Sequence, residues 1–281
     1  MTNWFQTDSA YQLFSQSEEM HPIRVQTLHC ACVTTIMGKG LMKRAIIQGG
    51  IAIEDSATQE ELGQLLQDLK HKCIDMKVVY IEMRNFSDYS AYKQTFEKLE
   101  FTYQPHYDVH IPIKEHNLSP SKKRQIEKSI GEGVYWEETR DEKDVRNWYK
   151  LLKQLYATKV HRPLPSEQFF VLASQQSDCH LLVVRNHQSQ IFGGVFMPVF
   201  QNISYEWYIC GDVMATYAAI EWSKQNGIEM FDTMGAGVPE KPYGVRDFKL
   251  QMGGTLHEYG RFLFVNKPIV FYMGKLLFNR V

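Results

Sequence analysis

The stretch Tyr243-Gly244-Val245-Arg246-Asp247-Phe248-Lys249-Leu250-Gln251-Met252-Gly253-Gly254 follows a Gly/Pro-rich loop and precedes an apolar run. It predicts a short helix over 245–252 that stops at a Gly-Gly pair, then a strand over 259–265. An earlier stretch, Tyr92 to Tyr103, can be laid over it with Phe96 on Phe248 and Glu97 on Lys249. The chain therefore carries two editions of one structural phrase.

Outward from these segments, the same order of elements occurs twice. The first copy has strand-like residues 32–38 and a run over 44–54 that turns at Gly49-Gly50. A helix over 58–73 follows. Thr58 and Glu61 have capping-box spacing, and Leu62, Leu65, Leu66 and Leu69 form one apolar face. A strand over 77–83, a helix over 89–99 and a closing strand over 107–113 complete the copy. The second copy runs through strand 180–185, a turn, strand 190–199 and strand 203–209. Then come a helix over 212–225 with Asp212 as N-cap, strand 229–233, helix 245–252 and closing strand 259–265. Between the copies lies a helical connector: 119–130, then 142–157 with Val145, Trp148, Tyr149, Leu152, Leu155 and Tyr156 on one face, then a helix after Pro165. The pattern predicts an α/β (α+β) chain of two mixed-sheet halves in tandem. The expected division is an N-terminal half over 1–117, connector plus C-terminal half over 118–265, and a tail over 266–281. That tail, apolar but too short to span a bilayer, reads as a buried element packing back on the N-terminal half.

Composition sets outer limits. The chain has 281 residues, 44% hydrophobic and 22% charged, with net charge −1. No global attraction to nucleic acid or anionic membrane follows, and DNA is not an expected partner. Aromatics at 13% fit a large core or a ligand groove. The five cysteines are scattered with no CxxC pair, which fits a reducing cytoplasm better than a disulfide framework or a zinc knuckle. The N-terminal residues do not read as a secretory signal, and no window reaches the roughly 18 apolar residues of a membrane span. His106, His110 and His116 lack helical metal spacing, and His29-Cys30-Ala31-Cys32 sits in a strand-like run, so no metal is expected.

Four groups of residues occur in a telling order. First is Glu82-Met83-Arg84 at a strand end, followed by a helix ending in Leu99-Glu100-Phe101. Second is Lys123-Arg124-Gln125-Ile126-Glu127-Lys128. Third is a helix ending near Thr158, then Arg162 and Phe169-Phe170. Fourth is Ala219-Ile220-Glu221-Trp222, Gly227, Phe231-Asp232, Gly235, Gly237, then Gly244 to Lys249 and Gly253-Gly254. Together these resemble the Fem family of peptidoglycan-bridge aminoacyltransferases, which are tandem acetyltransferase-like (GNAT-type) proteins. The FemAB-like resemblance covers about residues 75–265, with no coiled-coil arm. It implies transfer of an aminoacyl group, usually from aminoacyl-tRNA, to an amine of a cell-wall peptide or glycan precursor, small or lipid-linked. It implies no permanently bound cofactor. Acyl-coenzyme A as donor to an N-acyltransferase of GNAT type is the competing reading, and a non-catalytic peptide- or glycan-binding relative is a third. The Arg/Gln-x-x-Gly-x-Gly/Ala pyrophosphate loop of coenzyme A users is missing before Asp212.

Acyl transfer to an amine needs stabilisation of negative charge on the donor oxygen and removal of a proton from the nitrogen. Lys249 matches the family's Phe-Lys pair and is the expected cation; without the resemblance it reads as a surface helix lysine. Asp232, at a strand end, is either a base, an orienter of Lys249 or a turn cap. Arg246 shares the helix face of Lys249 and suits a phosphate or carboxylate, or solvent. Tyr243 and Phe248 flank the same segment. Arg124 in the basic start of the connector suits a pyrophosphate or tRNA backbone, or a solvated helix end. Arg162 matches a family arginine near the acceptor groove. Lys39, in a Gly-Lys-Gly turn, could meet a phosphate. Tyr205 and Trp207 share a strand face, lining either a groove or the core.

Overall fold

The structure, a computed structural model, describes residues 2–278. The first part of the chain forms α1 (Asp8–Ser15), β1 (Met20–Gln26), β2 (Cys30–Met37), β3 (Arg44–Gly49), β4 (Ala52–Ile53), α2 (Gln59–Asp75), β5 (Tyr80–Asn85), α3 (Lys93–Lys98) and β6 (Thr102–Gln104). Next come β7 (Tyr107–Pro112), α4 (Pro120–Gly131), β8 (Tyr135–Thr139), α5 (Glu142–Leu155), α6 (Glu167–Ser174), β9 (Cys179–Arg185) and β10 (Ile191–Phe200). They are followed by β11 (Ile203–Tyr205), β12 (Tyr208–Cys210), α7 (Val213–Gln225), β13 (Met230–Gly235), α8 (Gly244–Gln251) and β14 (Thr255–Glu258). The last described elements are β15 (Arg261–Val265) and α9 (Pro268–Phe278). Two compact units result: one takes the described residues up to His106 and from Glu258 onward, the other is Tyr107–His257.

In the first unit the sheet order is β1-β2-β3-β5-β15-β6, with β4 on β2. Thr58 and Glu61 form the expected capping box at α2, and Leu62, Leu65, Leu66 and Leu69 are fully buried. Each such leucine contributes about 1.5–3 kcal/mol by leaving water. Phe96 of α3 stacks on Phe262 of β15 with centroids 4.0 Å apart. In the second unit the order is β14-β7-β13-β11-β10-β9-β8, with β12 on β10. Here α5 buries Val145, Trp148, Tyr149 and Leu152, as the periodicity predicts.

Three features differ from the sequence-based expectation. Residues 107–113 and 259–265 do not close their own copies: β7 lies between β14 and β13, and β15 lies between β5 and β6. The compact units are therefore not 1–117 and 118–265. Both closing strands are apolar and alternate alike, so local pattern does not distinguish the two sheets. The exchange is fixed by distant partners: Arg261 donates to Glu82 on β5, and the Thr233 hydroxyl on β13 donates to the Val109 carbonyl. Second, the single strand expected over 203–209 is interrupted at Glu206-Trp207. The Glu206 N–H turns to the Asp232 carbonyl while the Trp207 N–H goes to Phe196, so β11 and β12 part company. Third, the tail is not buried. It is anchored to the first unit through Asn266 and Lys267 N–H groups on the Val79 carbonyl and through Phe271 on the Tyr80 ring. The apolar stripe on its other side faces solvent. Residues 279–281 of that tail lie outside the described residues.

Candidate active site

Lys249 is only 5% exposed although it sits on a short, mostly polar helix. The repeat explains this, after a correction of one residue. The first-copy helix has its C-cap at Leu99 and the second at Met252. A left-handed residue follows each, Glu100 and Gly253. The N–H of Phe101 bonds the Phe96 carbonyl as that of Gly254 bonds the Lys249 carbonyl. Lys249 therefore stands where the first copy has the core residue Phe96, not where it has Glu97. A cation has been placed at an inward position.

Its ammonium is held by backbone. Nζ donates to the carbonyls of Thr233, Met234 (3.3 Å) and Gly235 (3.2 Å), at the C-terminal end of β13. Met234 has φ +61°, and this turn aims successive carbonyls at one point. Glu206 Oε1 lies 3.7 Å from Nζ, and Glu206 is itself buried at the break between β11 and β12. Burial pushes the Glu206 carboxyl up to about 7, with Lys249 opposing.

Asp232 stands next to this group. It is buried, accepts the Met234 N–H at 2.7 Å, and lies 3.6 Å from His110 Nε2. Burial raises its carboxyl to about 7, against the Met234 bond and the Lys249 charge, and it shares a hydrogen bond with Asp108. His110 is pushed down to about 4 by burial, and His257, its ring 4.7 Å away, is lowered by burial and then by His110. Asp108, His110 and Asp232 bring potential ligand atoms within 4.8 Å of one another, a donor set chemically able to take a divalent cation. Helical spacing misses this group because its members come from two different strands. The available signal was Asp108 and His110 alternating inside the apolar run of β7.

Other expected site residues fall elsewhere. Arg246 donates to the carbonyls of Val238 (3.0 Å) and Lys241 (2.7 Å) and lies over the Tyr107 ring, so it clamps the loop before α8 rather than facing free space. Tyr243 is half-exposed and packs over Gly237, whose φ of +82° and lack of a Cβ admit the ring. Phe248 is half-buried beneath the Lys122 ammonium. Tyr205 is buried in the core, whereas Trp207 lies in the break between β11 and β12, partly buried among Phe169, Phe196 and Tyr208. Arg124 and Arg162 are exposed in the second unit, and Lys39 is exposed in the first. All five thiols are buried, and burial raises Cys32, Cys73 and Cys210 to about 12, which disfavours a thiolate nucleophile.

The Gly253-Gly254 pair positions Lys249. A Cβ at Gly253, with φ +91°, would meet the Asn117 carbonyl oxygen at 2.8 Å. Gly253→Ala is expected to cost about 1–3 kcal/mol in urea unfolding. An unchanged midpoint would contradict the close approach.

No family model matches the chain, and no curated protein matches it. Solved structures do. FemX aligns over 96% of this chain and 94% of its own, with TM-score 0.69 and 12% identity. L-PGS from Bacillus licheniformis aligns over 93% and 92%, with TM-score 0.62 and 9% identity. A GCN5-related glucosamine N-acetyltransferase region of a fungal multi-domain GH3 β-N-acetylglucosaminidase aligns over 92% of this chain and 34% of that one, with TM-score 0.55 and 11% identity. The fold is thus the Fem-like tandem GNAT fold.

Proposed function

We propose that this chain is an acyltransferase that moves an aminoacyl group from aminoacyl-tRNA to an amine of a cell-wall peptide or glycan precursor. The observation that carries the reading is the buried Lys249–Glu206–Asp232 group at the end of β13 in a Fem-like fold. A carboxyl poised near 7 suits removal of a proton from an attacking amine. Lys249 supplies positive charge close to the donor carbonyl. At rest its three N–H bonds go to backbone carbonyls, so contact with an oxyanion would require release of Met234 or Gly235, the longer pair.

The N-termini of α7 and α2 weigh against a coenzyme A pyrophosphate bound at either of them. A helix N-terminus serves as a pyrophosphate cradle when its N–H groups are free. At α7 the Asp212 carboxylate accepts the Met214 N–H, and Val213 and Met214 are buried. At α2 the Thr58–Glu61 box fills the same place. A carboxylate already at each end repels an added phosphate.

Calorimetric titration with acetyl-coenzyme A, a nucleotide-linked muropeptide and a non-hydrolysable aminoacyl-tRNA tests the proposal. Binding of the last two, with acetyl-coenzyme A at least tenfold weaker, is expected. Tight coenzyme A binding with no response to muropeptide would sink it.

A further inference from the structure

Helix α9 carries its apolar stripe on the wrong side for a packed helix. Ile269, Tyr272, Met273 and Leu276 recur at i, i+3, i+4 and i+7, the spacing of one helix face. They are 78%, 59%, 59% and 66% exposed. The face that touches protein is the other one, through Phe271 on Tyr80. Beside the stripe, Leu41 and Met42 are 66% and 52% exposed in the turn after β2. The two patches are neighbours through Val79. Its N–H bonds the Lys43 carbonyl, and its carbonyl accepts the N–H groups of Asn266 and Lys267.

Lysines rim this surface. Lys267 Nζ reaches the Lys77 carbonyl and Lys43 Nζ the Met76 carbonyl, while Lys39 and Lys275 are exposed. Two carboxylates lie at the same end, Glu19 beside the Met20–Met37 pair and Asp75 beside the Met76 carbonyl, and the four lysines outnumber them. An apolar stripe flanked by lysines on a helix lying along the protein is the arrangement that settles into a lipid headgroup layer. No helix among the described residues is long and apolar enough to cross a membrane, so the contact is with the surface. A second copy of the chain fits poorly. A two-fold contact through this patch would set one lysine rim against another.

We propose that α9 and the Leu41-Met42 turn form a docking surface for an anionic phospholipid bilayer. The inference rests on this unit alone and holds whatever the donor or acceptor of acyl transfer is. Co-sedimentation of the full chain with vesicles tests it, one set of pure phosphatidylcholine and one containing a third phosphatidylglycerol. Binding to the anionic vesicles is expected, at least tenfold tighter than to the neutral ones. Ile269→Ser/Leu276→Ser, at exposed positions, is expected to weaken it at least tenfold. Lys267→Gln/Lys275→Gln is expected to weaken it about fivefold per lysine and to flatten its salt dependence. Absence of binding to the anionic vesicles would overturn the proposal. So would unchanged binding by the serine variant, or a dimer in sedimentation velocity that the serine variant abolishes.

Discussion

Lys249→Ala is expected to do two separable things. The first is a loss of stability of the second unit by about 3–5 kcal/mol, because a buried charge partner disappears from Glu206 and Asp232 and three carbonyls lose their donor. The loss should depend on pH in a defined direction. The folded-state value of Glu206 is raised to about 7, above the ordinary carboxylate range. The carboxyl is therefore protonated in the folded protein below that point and ionised above it. The attraction to Lys249 exists only in the ionised form, so the difference between wild type and variant should be smaller at pH 5.5, where only the three lost carbonyl bonds count, and full at pH 8.5. Urea unfolding at the two pH values checks this, and a pH-independent difference would mean that the Glu206 contact is not what Lys249 stabilises. The second effect is on transfer, which should fall by about 10²–10³-fold. Glu206→Gln in the Lys249→Ala background separates the two: at pH 8.5 it should return the part of the stability lost to the unpaired Glu206 carboxylate and none of the rate.

Glu82→Gln carries the second large effect, in the first unit. Glu82 accepts from Arg84 on its own strand and from Arg261 on β15. Burial alone would raise its carboxyl, but the two guanidinium groups prevail and hold it down to about 2. A carboxylate with a depressed folded value contributes stability that is complete above its unfolded value of 4.5 and is lost as pH falls through about 2. The shift corresponds to about 3 kcal/mol. Wild type and Glu82→Gln should differ by that order at pH 7 and converge as the pH is lowered below 4.5. Hydrogen exchange at β5 and β15 reads this locally. A constant gap down to pH 2 would exclude the ion triad as its source. The same triad joins a closing strand to a sheet that sequence order alone would not have assigned to it.

Local signals in the sequence went far. The leucine spacing of α2, its capping box, the broad apolar face of α5 and the twofold order of elements are all properties of short windows, and short windows set them. Lys249 and Asp232 stood out through the Gly-rich loop and the doubled phrase, and the structure brings them to the same strand end. What stayed hidden depends on contacts between remote segments. Glu206 lies in an aromatic run that reads as strand, and only the break between β11 and β12 turns it toward Lys249. Asp108, His110 and His257 sit on strands from opposite ends of the second unit's sequence. Arg246 looked free because its acceptors are backbone carbonyls, which no side-chain pattern records. The overlay differs by one residue because the sequence matches Phe96 to Phe248, two like side chains, which puts Lys249 on Glu97. Geometry aligns Lys249 with the buried Phe96. The tail misled for the opposite reason: its composition is that of a core helix, and only its surroundings show the stripe pointing outward.

The most direct test of acyl transfer by the Lys249 group is product formation in a single-turnover reaction. Wild-type protein and Lys249→Ala with Glu206→Gln would each be mixed with aminoacyl-tRNA and a nucleotide-linked muropeptide, and the muropeptide mass followed. A mass increase of one aminoacyl residue with wild type, reduced by at least 10²-fold in the folded double variant, is the expected result. Equal product from both proteins would contradict the role of the Lys249–Glu206 pair, and product from acyl-coenzyme A alone would contradict the donor.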